Sequence, residues 1–142
     1  MSYAPHKSYK SADIVTADRG KLVIMIYDHC IKWIRRAEED FKANNLEKMA
    51  KSIQRAQAGI TELMCALDME KGGDIAKNLF NLYDFYSKHL TTAIKDRSAK
   101  CLADVLAMMS SLREAWIVAV DNVRREDRGS LSTAATSLSL VS

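Results

Sequence analysis

Turn-forming residues are scarce in this chain, and its cysteines are few. Among 142 residues there are one proline and five glycines, which leaves little turn material for a many-stranded β fold and favours helices. The three cysteines, Cys30, Cys65 and Cys101, are widely spaced and odd in number. This pattern is typical of reduced thiols and argues against a disulfide framework.

Long apolar runs and blocks of like charge are also missing. The net charge is only +3 and the basic residues are interleaved with acidic ones, so we expect no nucleic-acid surface. No run approaches the roughly 18 apolar residues of a membrane span, and the first residues, MSYAPHKSYKSADIV, lack the apolar core of a signal peptide. We therefore expect a cytoplasmic protein without membrane insertion.

Catalytic and metal-binding motifs are absent as well. No Glu is followed three residues later by His, as a di-metal site in a helical bundle requires. We find no zinc-ligand spacing, phosphate-binding glycine loop or Gly-x-Ser-x-Gly motif. His29 with Asp28 and Cys30 offers possible ligands but no second ligand pair. We predict no enzyme activity, no metal and no cofactor.

Apolar residues recur at steps of three and four in four segments, the spacing of amphipathic helices. We predict helices over residues 17–43, 46–71, 74–95 and 97–128. Asn44-Asn45 is expected to end the first helix and cap the second. Gly72-Gly73 is expected to end the second, and Asp96 or Ser98 to cap the fourth.

Such short connections force consecutive helices to fold back on each other. The predicted fold is all-α, an antiparallel up-down-up-down four-helix bundle. Residues 1–16 lack helical periodicity and are predicted to form a non-helical N-terminal arm. Residues 129–142 are rich in Ser and Thr without a charged residue, and we predict a flexible tail there.

Apolar surface exceeds what one core-facing stripe needs. Residues 22–27, LVIMIY, are apolar around the whole helix, and aromatic residues occupy more than one face of the third helix. The surplus predicts a groove that accepts helices of another chain. A further hypothesis is that the arm covers this groove until a partner displaces it. The alternative is that a small bundle buries more than one face of each helix. The predicted partner-binding residues are Ile14, Val15, Leu22, Val23, Ile26, Tyr27, Phe80, Tyr83 and Tyr86.

Several stretches resemble one protein family. LDMEKGGDIAKNLFNLYDFY and YKSADIVTADRGKLVIMIYDHCIKWI closely resemble the flagellin-specific export chaperones of the FliS family. The resemblance implies an antiparallel four-helix bundle in the cytosol. It also implies binding of the C-terminal segment of flagellin, which prevents premature polymerisation, and delivery to the flagellar type III export gate.

The resemblance also implies roles for individual residues. Tyr9 matches the arm tyrosine that the family uses towards the export gate, and Thr16 matches the cap of the first helix. Tyr27-Asp28 and Tyr83-Asp84 match two Tyr-Asp pairs, for which bundle cohesion through a buried ring is the alternative role. The family commonly has proline where Arg19 stands.

Two other functions stay open at this point. The surplus apolar surface is compatible with a self-associating structural bundle, and a metal- or cofactor-binding bundle is a weaker alternative. We expect a monomer or a weak homo-oligomer. The predicted partners are the flagellin C-terminal segment and the export gate.

Overall fold

All regular structure in the described chain is helical. The computed structural model describes residues 17–140, with side chains described for residues 18–129. Its four helices are α1 (Ala17–Lys42), α2 (Leu46–Cys65), α3 (Met69–Asp96) and α4 (Ala99–Leu140). No β-strand occurs within these residues, which confirms the predicted all-α class.

The helices pack in a ring that follows their order in the chain. Helix α1 contacts α2 and α4, and α3 contacts the same two helices. The connections between consecutive helices are only two or three residues long. Because such connections cannot cross the length of the bundle, neighbouring helices run antiparallel, as the sequence predicted.

All four helices contribute apolar side chains to one core. Along α2 the buried positions Met49, Ile53, Ala56, Ile60 and Leu63 repeat the steps of three and four that predicted this helix. Burying a side chain as large as Leu or Ile stabilises the fold by roughly 1.5–3 kcal/mol. The largest fully buried side chains are Tyr27, Tyr83, Tyr86, Ile34, Met49, Ile53, Ile60, Leu63, Leu90, Leu102, Met109 and Val105.

Helices α1 and α2 approach each other closely at Gly59. A Cβ atom added to Gly59 would lie 2.6 Å from Cys30 Sγ and 2.9 Å from His29 Cδ2. The Cys30 thiol donates a hydrogen bond to the carbonyl oxygen of Ala56 over 3.5 Å. Only glycine therefore allows this spacing between the two helices.

The first connection uses both asparagines as the sequence predicted. Asn44 adopts a left-handed conformation with φ of 56°, which terminates α1. The side chain of Asn45 accepts a hydrogen bond from the Lys48 backbone N–H over 3.1 Å and caps α2. An amide side chain satisfies one of the backbone donors that a helix start leaves without a partner.

The second connection differs from the prediction. Helix α2 ends at Cys65, earlier than the predicted residue 71, and α3 begins at Met69. The Asp68 carboxylate accepts hydrogen bonds from the backbone N–H groups of Glu70 and Lys71, at 3.1 and 2.9 Å. From this cap α3 runs for a single turn as far as Gly73. There a φ of 54° and a ψ of −132° kink the helix.

The last helix begins at Ala99, two residues after the predicted start at residue 97, and it also ends later than predicted. The Ser98 hydroxyl accepts a hydrogen bond from the Cys101 backbone N–H over 3.1 Å and caps α4. The helix continues to Leu140, whereas the sequence predicted a stop at Gly129 and a tail over residues 129–142. A glycine inside a helix costs only about 1 kcal/mol relative to alanine, so Gly129 alone does not end it.

Candidate functional site

An apolar cavity lies at the end of the bundle where α2 connects to α3. Its volume is about 350 Å³, and it is bounded by the first turns of α1, the end of α2, the start of α3 and part of α4. The larger apolar side chains in its lining are Val23, Leu63, Leu67, Ile75, Leu79, Leu112 and Trp116. The arrangement offers a concave apolar surface to another molecule.

Small residues leave this space open. A bundle core is normally filled by interlocking large side chains, yet the cavity lining includes residues with a single methyl group or none. Gly72 also permits a close contact, because an added Cβ would lie 2.4 Å from the Ala76 Cβ. The small lining residues are Gly20, Ala66, Gly72, Ala76, Ala115 and Ala119.

Two charged residues, Arg19 and Asp68, also line the cavity. The Arg19 guanidinium donates to the Ala66 carbonyl oxygen over 3.0 Å and thereby joins the start of α1 to the end of α2. The hydrogen bond from the Lys71 backbone N–H, aided by that from Glu70 and by the nearby charges of Lys71 and Arg19, holds the pKa of the Asp68 carboxyl below its ordinary value. The connection is therefore stabilised by polar contacts while the cavity stays apolar.

Two tyrosines and a tryptophan form a hydrogen-bonded group beside the cavity. The hydroxyl oxygens of Tyr27 and Tyr83 are 2.6 Å apart, and the Trp116 indole N–H donates to the Tyr27 oxygen over 3.2 Å. The two tyrosine rings make an edge contact, with centroids 6.2 Å apart. Burial raises the pKa of both phenols above the ordinary value, so both are neutral hydroxyls at physiological pH.

On α1, the predicted partner-binding residues point in different directions. Val23 lines the cavity, and Ile26 is half-buried against the core. Leu22 is 56% exposed, whereas Tyr27 is fully buried. An apolar run around the whole helix thus divides into core, cavity and exposed positions, and Val23 alone of these four lines the cavity.

On α3, the predicted residues divide in a similar way. Tyr83 lines the cavity and is otherwise buried, Tyr86 is buried, and Phe80 is 38% exposed outside the lining. Burial raises the pKa of Tyr86 to about 12. The buried positions of Tyr27, Tyr83 and Tyr86 agree with the alternative role of bundle cohesion. Tyr9, Ile14 and Val15 fall outside the described residues.

Sequence reasoning missed the contribution of α4. Leu112, Ala115, Trp116 and Ala119 line the cavity, although the prediction drew only on the arm, α1 and α3. Leu112, Trp116 and Ala119 follow one another along α4 at steps of four and three, the same spacing that core positions have. A tryptophan beside several alanines was the available signal, because small residues on a stripe leave space next to a large one.

A separate surface surrounds Trp33, which is not part of the cavity lining. Lys32 Nζ, Arg36 Cζ and Arg55 Cζ lie 5.3, 5.9 and 4.7 Å from the centre of the indole ring. These distances are typical of cation–π contacts, each worth roughly 0.5–1 kcal/mol at an exposed site. The contacts with Arg55 help to join α1 to α2.

Among the residues that the structure describes there is neither a cluster of metal ligands nor a membrane-spanning helix. Where side chains are described, no three His, Cys, Asp or Glu residues gather as ligands for a metal ion. Among the helices that the structure describes, none is both long and apolar enough to cross a bilayer. The chain therefore belongs to the class of four-helix bundles with an apolar cavity at one end.

Comparison with known proteins identifies the family within this class. Residues 1–123 match the family model described as flagellar protein FliS, and on that match the chain belongs to the FliS family. The flagellar secretion chaperone FliS of Bacillus subtilis (strain 168) is 27% identical over 126 residues, covering 89% of this chain and 93% of that protein.

Two further relatives carry the same description. The flagellar secretion chaperone FliS of Vibrio cholerae serotype O1 is 30% identical over 105 residues, or 74% of this chain and 77% of that protein. The one from Salmonella typhimurium (strain LT2) is 30% identical over 107 residues, with coverage of 72% and 77%. Membership of this family supports a role as an export chaperone and not as an enzyme.

Proposed function

We propose that this protein binds the C-terminal segment of flagellin in the apolar cavity, prevents its premature polymerisation and delivers it to the flagellar type III export gate. Family membership supports the chaperone role. The observation that carries the binding step is the cavity of about 350 Å³, which is lined almost wholly by apolar side chains and lies where α2 turns into α3.

The cavity suits one face of an amphipathic helix. Such a helix presents apolar side chains at i, i+3, i+4 and i+7, which fill a groove between helices. Ile75 lines the cavity and is 68% exposed, so apolar surface continues from the cavity onto the outside of α3. Every 100 Å² of apolar surface removed from water there contributes roughly 2.5 kcal/mol.

Coupled folding and binding gives the client the properties that delivery requires. A segment that is disordered when free becomes ordered on the chaperone and buries roughly 1,000–3,000 Å², while ordering it costs several kcal/mol. The complex is then specific and still reversible. Bound in this way, the segment's own apolar face is unavailable for polymerisation.

The N-terminal arm has two roles in this proposal. Tyr9 contacts the export gate, as the family resemblance implies. Ile14 and Val15 cover the cavity before the client arrives, which is supported by the position of Gly20 and Val23 in the lining, a few residues further along the chain. Deleting residues 1–15 should then raise the affinity for flagellin, and an unchanged affinity would reject the covering role.

The test of client binding uses the last ~40 residues of the host's flagellin, enough for two helices and a turn. Mixing this peptide with the protein should raise the circular dichroism signal of helix above the sum of the separate spectra. Ala115→Glu and Ala107→Glu form a matched pair, because both alanines are exposed on α4 and only Ala115 lines the cavity. Ala115→Glu should weaken binding at least tenfold.

Two results contradict the proposal. One is the absence of any helicity gain or binding at micromolar peptide. The other is equal binding by the Ala115→Glu and Ala107→Glu proteins, which would place the client elsewhere. Light scattering on the free protein tests the alternative of a self-associating bundle, since a stable large oligomer without affinity for flagellin would favour that function.

A further inference from the structure

The hydrogen-bonded group beside the cavity has one polar hydrogen more than its contacts use. The Trp116 indole, the Tyr27 hydroxyl and the Tyr83 hydroxyl each carry one such hydrogen. The group makes two hydrogen bonds, from Trp116 to the Tyr27 oxygen and between the two hydroxyls. One hydroxyl hydrogen is therefore left without an acceptor among the residues that the structure describes.

Position relative to the cavity distinguishes the two hydroxyls. Both tyrosine side chains are fully buried, but Tyr83 lines the cavity and Tyr27 does not. An unpaired donor is costly in the core because nothing there replaces its lost contact with water. The favoured order runs from the Trp116 N–H to the Tyr27 oxygen, then from the Tyr27 O–H to the Tyr83 oxygen, which leaves the Tyr83 O–H for the cavity.

We propose that the Tyr83 hydroxyl donates a hydrogen bond to a carbonyl oxygen of the bound flagellin segment. This inference rests on the proposed function and adds a polar contact to a site described so far by its apolar lining. The last four carbonyl groups of a helix have no partner within that helix. A helix end or break in the client therefore supplies the acceptor, and a side-chain amide oxygen offers the same chemistry.

Such a contact determines which segment fits, and in which register. Apolar side chains slide along an apolar surface with little change in free energy, because the hydrophobic effect has no direction. A buried donor is different, since a client without a carbonyl at the matching depth leaves the hydroxyl unpaired. Tyr83 thus acts as a specificity-determining residue within the apolar cavity.

Two tyrosine-to-phenylalanine variants test this inference with a built-in control. Tyr83→Phe and Tyr27→Phe remove the same 2.6 Å hydrogen bond between the hydroxyls and leave the rings in place. Only Tyr83→Phe also removes the donor beside the cavity. In Tyr27→Phe the Trp116 N–H loses its acceptor, while the Tyr83 hydroxyl beside the cavity is kept.

Affinity for the flagellin C-terminal peptide is measured by calorimetric titration of each protein. Tyr83→Phe should weaken binding about tenfold, the usual effect of losing one buried hydrogen bond. Tyr27→Phe should stay within about twofold of the wild type. Urea unfolding of both variants checks that their folded states are similarly stable.

A second measurement uses the wild-type protein. The Tyr83 hydroxyl hydrogen, followed by NMR in protein labelled at the tyrosine rings, should exchange more slowly with solvent once the peptide is bound. Unchanged exchange overturns the inference, as does an equal affinity of the two variants while the wild type binds. Failure of the wild type to bind the peptide rejects the proposed function itself, and the two failures are thereby distinguished.

Discussion

Replacing Gly73 with alanine tests how the start of α3 is built. Gly73 has φ of 54° and ψ of −132°, a conformation that residues with a side chain rarely adopt. No atom lies within 4 Å of an added Cβ, so the cost is confined to the backbone and is roughly 1–3 kcal/mol. The lower entropy of the unfolded chain offsets roughly 0.4–1 kcal/mol. We expect a net loss of about 1–2 kcal/mol.

Thermal unfolding followed by circular dichroism at 222 nm measures this loss. For a chain near 150 residues each kcal/mol lowers Tm by roughly 2–4 °C, so Tm of the Gly73→Ala protein should fall by about 2–8 °C. Gly129→Ala is the control, because Gly129 is exposed within α4 and has nothing within 4 Å of an added Cβ. It should stabilise the protein by up to about 1 kcal/mol. A Gly73→Ala protein as stable as the wild type would refute the backbone argument.

Three further predictions concern stability and reactivity. Gly59→Ala should cost about 1–3 kcal/mol in urea unfolding, and less in a Cys30→Ala background, because the added Cβ meets the Cys30 sulfur at 2.6 Å; equal costs would contradict the contact. Folding lowers the pKa of Asp68, so its carboxylate stabilises the protein at pH values above the pKa of unfolded aspartate, about 3.9. This stabilisation should be lost as pH falls through the lowered pKa of the folded state. Asp68→Ala should remove this pH dependence from the acid-unfolding curve. Burial raises the pKa of Cys30 to about 12, so iodoacetamide at pH 8 should alkylate the exposed Cys65 first and Cys30 only after unfolding, as mass spectrometry of peptides will show.

Local signals in the sequence predicted the helices and one connection well. Apolar steps of three and four mark the core positions of α2, because one stripe of this helix faces the other helices throughout. Asn44 and Asn45 supply a left-handed residue and a cap within two positions. The apolar spacing of α2 and the asparagine cap each depend only on residues close together in the chain. Features of this kind can be predicted from the sequence.

The second connection shows where local signals mislead. Gly72-Gly73 is a strong helix terminator by itself, yet the chain turns earlier because Asp68 caps α3 with two hydrogen bonds. Asp68, two residues before Glu70, is a usable capping signal, and the glycine pair outweighs it in a reading of the sequence alone. Gly73 still interrupts the helix, as a kink within it and not as its end.

The cavity was only partly predictable, for a physical reason. The excess of apolar residues on α1 and α3 indicated a groove, and Val23 and Tyr83 do line the cavity. Composition could not tell that Val23 faces the cavity while its neighbour Leu22 is exposed. Both are apolar, and the rotation of α1 about its own axis decides which of the two side chains faces inward. The contribution of Trp116 depends on how α4 packs against the other helices, which no local pattern specifies.

The most direct test of the central claim is a map of where the flagellin peptide binds. The protein labelled with ¹⁵N is titrated with unlabelled flagellin C-terminal peptide, and the amide signals are followed by NMR. We predict that the largest shifts fall on the cavity lining, at residues 66–68 and 112–119, while the surface around Trp33 changes little. Shifts centred on the Trp33 surface, with the cavity signals unmoved, would contradict the account.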